Sequence, residues 1–168
     1  MVRFKTKSGG ALFAKTESGD KWVPDGKVLF VRDGRLCYDI RWVGVVQSKS
    51  QVADGKWHRA ALTWEQDSGT ATLFVDGKQD SAKELRPKQH AEGQVVRVGF
   101  GAPDFPRPKS FFKGDIQWLE FYNQVVNPDQ RMTGNAPQPI ARWKPQAANG
   151  NRLADDAGNG HDAKIARG

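Results

Sequence analysis

The chain holds one cysteine, Cys37, in 168 residues, so no intramolecular disulfide can brace it. Cys37 reads as a small apolar strand residue rather than a reactive thiol. Histidine is also scarce. Of the three present, His58 has no second His, Cys or acid at a metal-ligand spacing, which favours a packed or hydrogen-bonded ring over a ligand or base. Only five glutamates occur: Glu17, Glu65, Glu84, Glu92 and Glu120. They do not form the strand of alternating acids expected of a sandwich glycosidase, whose two carboxylates face each other across about 5.5 Å or more. Without a nucleophile elbow or a phosphate loop either, no catalysis is expected. No apolar run is long enough to cross a bilayer, and Met1-Val-Arg-Phe4 does not lead into the apolar core of a signal peptide. The chain is therefore expected to be soluble and to carry no address of its own.

Turn formers are plentiful. Eighteen Gly and nine Pro beside 38% hydrophobic residues suit many short strands better than a helical bundle. This length fits one domain with a core that needs no staples. The formal charge of +7, from 26 Lys plus Arg against 19 Asp plus Glu, permits attraction to acidic polymers of any kind. The cations are scattered, however. They concentrate only at Lys83 to Lys88 and at Arg107 to Lys109, and neither stretch resembles a nucleic-acid module, so no nucleic-acid partner is expected.

Alternation with a period of two is clearest from Val52 to Lys78. Asp54-Gly55, Ser68-Gly69 and Asp76-Gly77 punctuate two runs that predict a β-hairpin. Ala60, Leu62 and Trp64 share one face of the first run, and Ala71, Leu73 and Val75 one face of the second, so pairing points both at one core. Trp57 is placed with this apolar side. Upstream, the runs flanking Ser8-Gly9-Gly10 read as strand, turn and strand. Residues 17–26 read as a loop, with Trp22 either partly exposed or folded over the end of the core. A further hairpin, Val28 to Val43, turns at Asp33-Gly34. Its second strand sets Leu36, Tyr38, Ile40 and Trp42 toward the core and Cys37, Asp39 and Arg41 away from it, on a face that is solvated or open to a ligand. Residues 80–93 are polar, with a short helical turn expected around Ala82 to Leu85. The loop 99–110 is stiffened by three prolines, which reduces the entropy lost when it closes on a partner. Phe105, Arg107 and Lys109 project from it as a contact surface or as a cover over a sheet edge.

Asp54-Gly-Lys-Trp-His58, followed by a strand, a Gly turn and Leu73-Phe-Val-Asp-Gly77, resembles the central signature of laminin-G-like, concanavalin-A-type jelly-roll domains. Phe4 to Ala14, Val28 to Tyr38, Val96 to Gly99 and Phe112 to Asn123 are similar to that family's flanking strands, so the likeness spans about residues 2–126. It implies an all-β fold, a two-sheet antiparallel sandwich. It also implies that Ile116, Leu119 and Phe121 point inward, leaving Gln117, Trp118 and Glu120 away from the main core. An indole beside an amide and a carboxylate is the composition of a sugar-stacking platform, unless a loop or the C-terminal segment covers it.

After a linker-like loop at 127–139, residues 140–168 resemble a domain-opening segment of the same family standing at the end of the chain. Two readings stand. The segment completes the same sandwich in permuted order, which closely placed termini allow, or it is the first strand of a following repeat and pairs with another molecule. The first is favoured, since the chain begins without such a segment. In relatives the Asp-x-Ala-Gly-Asn-Gly turn, here Asp155 to Gly160, lends oxygens to a structural calcium, making Asp156 and Asn159 candidate metal ligands. The late-strand acid that joins them falls at Gln117, and an amide there weakens a hard-cation site. No other cofactor is expected.

The resemblance is poorly specific for function, and the leading expectation, drawn from the aromatic residues, is a carbohydrate-binding module taking a polysaccharide on Trp22, Trp118 and Phe105. Gln117 and Glu120 would bond to hydroxyls, Asp39 would join Arg41 on a ligand face, and Arg41 and Arg107 favour acidic glycans. The alternative is a protein-interaction or adhesion module, or a structural spacer, with other domains of a larger secreted protein as partners. Either setting implies an extracellular or periplasmic location.

Overall fold

Two antiparallel sheets face each other across one apolar layer in the computed structural model, which describes residues 1–19, 22–87, 93–102, 104–105 and 111–164. In chain order the strands are β1 (Val2–Thr6), β2 (Gly10–Thr16), β3 (Lys27–Arg32), β4 (Arg35–Ile40), β5 (Gly44–Gln51), β6 (Trp57–Trp64) and β7 (Thr70–Val75). They continue as β8 (Lys78–Glu84), β9 (Val95–Val98), β10 (Gly114–Phe121) and β11 (Ala141–Trp143), with a short helix α1 (Pro128–Met132) between the last two. One sheet runs β11-β10-β1-β6-β7-β8, the other β5-β4-β3-β2-β9. Two residue pairs, β12 (Arg152–Leu153) and β13 (Ala163–Lys164), form a separate ribbon.

Alternation builds the core. Val2, Phe4, Ala60, Leu73, Ile116 and Leu119 of the first sheet meet Leu12, Leu29, Leu36 and Ile40 of the second. Each large side chain removed from water in this way contributes about 1.5–3 kcal/mol. The all-β sandwich is thus the fold that the period-two pattern specifies.

Local physics explains where the structure departs from the pattern. The strands flanking Ser8-Gly9-Gly10 do not pair with each other, since β1 and β2 belong to opposite sheets. Gly10 carries the crossing at a φ of 116°, and a Cβ there would sit 2.4 Å from the Phe111 carbonyl oxygen. No helical turn forms at Ala82 to Leu85. Asp76 and Gly77, both at positive φ, make the two-residue turn whose twist suits a hairpin, so the polar run returns as β8 along the open side of β7. The stretch 127–139 contains helix α1, because the Asn127 side chain accepts from Asp129 N–H, Gln130 reaches back to the Asn127 N–H and Pro128 is pre-set for the first turn. β11 pairs antiparallel with β10, matching Leu119 to Trp143. Trp57 lies on the outer face, 36% exposed, because β6 alternation sets it with Arg59 rather than with Ala60.

His58 does have acidic partners. Its Nδ1 lies 2.8 Å from Asp76 and its Nε2 3.0 Å from Asp54, carboxylates that the hairpin turns deliver from either side. Burial works against the imidazolium, yet hydrogen bonds to Asp76 and Asp54 outweigh it and hold the ring above its ordinary 6.5. A raised folded-state pKa stabilises fully below 6.5 and ceases to do so as pH climbs through the raised value. The gap in thermal midpoint between the native chain and His58→Gln should therefore narrow as pH rises from about 6 to 8. A gap independent of pH would refute the charged ring.

Candidate functional site

The outer face of the five-stranded sheet carries a second apolar layer. Residues 28–31 are apolar without interruption, so β3 sends Leu29 and Val31 to the main core and Val28 and Phe30 to the other side. There Val28, Phe30, Ala14 and Cys37 are covered by Trp22, Ala102 and Phe105. Trp22 stacks on Phe105 with ring centres 4.7 Å apart and planes 10° from parallel, and Phe105 meets Phe30 edge-on at 5.7 Å. Trp22 is therefore only 4% exposed. Its indole packs as a lid over this layer and is not free to stack on a sugar. Its backbone N–H donates to Asp104 Oδ1 at 2.8 Å, while its indole N–H meets no acceptor among the described residues. Arg97 ties the two covering loops together, donating to the carbonyls of Ser18, Gly19 and Gly101 at 2.9–3.1 Å.

At the border of this layer lies a cleft of about 270 Å³ lined by Trp22, Asp39, Arg41, Trp42, Asp104 and Phe105. It joins four of the residues singled out from the sequence, Trp22, Asp39, Arg41 and Phe105. Trp42 was expected in the core. Instead β4 ends at Ile40, the Val43 N–H bonds back to the Ile40 carbonyl at 2.9 Å, and Trp42 turns out at a φ of 65° with 74% of its surface in water. A bulky residue in the left-handed region costs about 1–3 kcal/mol, and such strain gathers at functional sites. The Arg41 guanidinium sits 5.4 Å from the indole centre, within cation–π range. The Arg41 backbone is clipped to the Trp22 loop, its N–H to the Gly26 carbonyl at 3.0 Å and its carbonyl to the Asp25 N–H at 3.2 Å. Burial pushes the Asp39 carboxyl above its usual range, and Arg32 and Arg41 draw it partly back. The cleft thus offers an open aromatic face beside two carboxylates and a guanidinium. Arg107 lies outside the described residues.

The other candidates sit on the opposite outer face. A bulge between β1 and β10, where Arg3 pairs with Trp118 but Phe4 with Ile116, turns Gln117 and Trp118 outward together. Gln117 accepts from Arg3 at 2.6 Å, and the Arg131 guanidinium lies 5.2 Å from the Trp118 ring centre. Glu120 is not available to a ligand. Its side chain is wholly buried beneath α1 and β11, accepting from Arg131 at 2.8–3.1 Å, Arg142 at 2.8 Å and Tyr122 at 3.0 Å. Burial alone would raise its pKa. The bonds and charge of Arg131, with Tyr122 and Arg142, outweigh that and hold the carboxyl below its usual range.

The C-terminal turn carries the two candidate calcium ligands, Asp156 and Asn159. Asp155 is its organiser, and both its oxygens accept backbone N–H groups, Oδ1 from Arg142 and Ala157 and Oδ2 from Asn159 and His161. Asp156 pairs with Lys144 at 2.5 Å, and the Asn159 amide donates to the carbonyls of Pro139 and Ile140. Four N–H donors around the Asp155 carboxylate close the turn. Among the described residues no group of three or more His, Cys, Asp or Glu is placed to hold a metal.

The profile of the concanavalin A-like lectin/glucanases superfamily matches residues 3–130. A rat protein with sushi, von Willebrand factor type A, EGF and pentraxin domains is 26% identical over 114 residues, covering 60% of this chain and 3% of its own length. Among solved structures, a Bacteroides ovatus protein to which carbohydrate binding has been attributed superposes with a TM-score of 0.68 at 12% identity, covering 98% of this chain and 54% of that one. The CBM40 module of a Ruminococcus gnavus IT-sialidase, also solved with sialyllactose, gives 0.58 at 13% identity over 80% of this chain and 79% of that one. This chain therefore spans about half of the first structure and a small fraction of the rat protein. At such identities the likeness establishes the shared sandwich alone.

Proposed function

This chain belongs to the concanavalin A-like lectin/glucanases superfamily, and we propose that within it the chain acts as a non-catalytic carbohydrate-binding module whose ligand stacks on Trp42. The observation that carries the reading is an indole 74% open to water, held out by a left-handed backbone at the mouth of a cleft. A sugar ring presents an apolar face to an aromatic plane and hydroxyls at its rim. Asp39 and Asp104 supply acceptors for those hydroxyls and Arg41 supplies donors. At about 270 Å³ the cleft lies just below the range of drug-sized pockets and suits a ring or two of a longer chain. The likeness to carbohydrate-binding structures supports this class of ligand. We place the module in a larger exported protein, and no described helix is long and apolar enough to cross a membrane.

A panel of neutral and acidic polysaccharides on a glycan array, followed by calorimetry, tests this. Trp42→Ala should weaken the best ligand about tenfold or more, the scale set by an aromatic anchor. Trp57→Ala, which removes an exposed indole on the opposite face, should leave it unchanged. Undiminished affinity in folded Trp42→Ala would end the assignment.

A further inference from the structure

Strands β10, β1 and β6 lie side by side, and their register sets Trp118, Arg3 and Arg59 in one row across the outer face. Arg3 and Arg59 are direct cross-strand neighbours. Like charges in that position repel and weaken the sheet. Helix α1 adds a third guanidinium, Arg131, above them, and the residues enclose about 200 Å³ walled by Phe74, Trp118 and Met132. Among the described residues no carboxylate lines this space. Glu120 is committed to Arg131 and Arg142 beneath it. Among the described residues neither Arg3 nor Arg59 joins an ion pair: Arg3 gives an N–H to the neutral Gln117 amide and Arg59 gives one to the Met132 thioether, a weak acceptor.

We propose that this pocket is a second binding site, selective for a sugar residue bearing a carboxylate or sulfate group. An incoming anion relieves the repulsion between Arg3 and Arg59 and accepts paired N–H groups in the planar geometry a guanidinium favours. Phe74 and the Trp118 indole receive the apolar side of the ring that carries it. The preference for an anion stands on the arginines alone; that a saccharide bears it rests on the reading of a carbohydrate-binding module.

The two sites lie on opposite faces, so one set of variants separates them. Isothermal calorimetry would compare a glucuronate-bearing tetrasaccharide, a sulfated tetrasaccharide and their neutral glucose counterpart on the native chain, Arg3→Gln, Arg59→Gln and Trp42→Ala, each confirmed folded by thermal unfolding. At least one acidic ligand should bind, weaken about tenfold or more in both arginine variants and with added salt, and be untouched by Trp42→Ala. Acidic binding that both arginine variants weaken, with no ligand of the glycan panel weakened by Trp42→Ala, would remove the Trp42 reading and leave this one standing. The proposal is overturned if neither acidic ligand binds, if binding follows Trp42 instead of the arginines, or if free inorganic sulfate competes as well as the sugars do.

Discussion

Glu120→Ala lowers the free energy of unfolding by about 3 kcal/mol, read as a shift in the denaturant midpoint at constant slope. Removing one member of a buried ion pair costs about 3–5 kcal/mol because the remaining charge stays behind in a poorly hydrated place. Here the lower end applies, since Arg131 and Arg142 keep 36% and 25% of their side-chain surface in water and rehydrate in part. The pH signature is specific. A carboxyl held below its ordinary value stabilises above its unfolded pKa, and that contribution fades as pH falls through the folded one. The native chain should lose more stability than Glu120→Ala on acidification below about pH 5, where an ordinary glutamate begins to protonate. Equal acid sensitivity in the two would mean that the three-residue cluster contributes little to the fold.

Trp143→Ala is expected to cost about 3–5 kcal/mol, the range for truncating a buried Trp, and to act locally first. Trp143 is 5% exposed in the main core, opposite Leu119 on an edge strand of three residues, and its indole N–H donates to the His161 carbonyl at 2.8 Å. One side chain thereby joins β11, the turn around Asp155 and the sandwich. Hydrogen exchange should rise over residues 140–164 well before it rises in β6 and β7. Uniform acceleration across both regions would instead make the C-terminal segment part of one cooperative unit.

The central hairpin was legible because Ala60, Leu62, Leu73 and Val75 alternate in strict phase between Asp-Gly turns, and register follows from phase. Trp42 was misplaced for a related reason: alternation was carried beyond Ile40, where the strand stops. The nearby signal was Gly44, at a φ of 147°, which marks an irregular backbone two residues on. The buried Trp22 could have been inferred from the unbroken apolar run 28–31, which requires cover on both faces of its strand. Trp22, Asp39, Arg41 and Phe105 could be nominated singly, but their convergence depends on how loops far apart in sequence pack against β4. Arg3 and Arg59 carry no local signal. They are neighbours only through strand pairing, and their significance lies in there being no carboxylate between them among the described residues.

Arg97 gives the walls of the Trp42 cleft a common fate. Its guanidinium fastens Ser18 and Gly19 on one side and Gly101 on the other, so neither wall can swing out alone without first breaking a bond to the same group. Removing that one side chain, as in Arg97→Ala, should therefore loosen both loops together, read as faster hydrogen exchange in each.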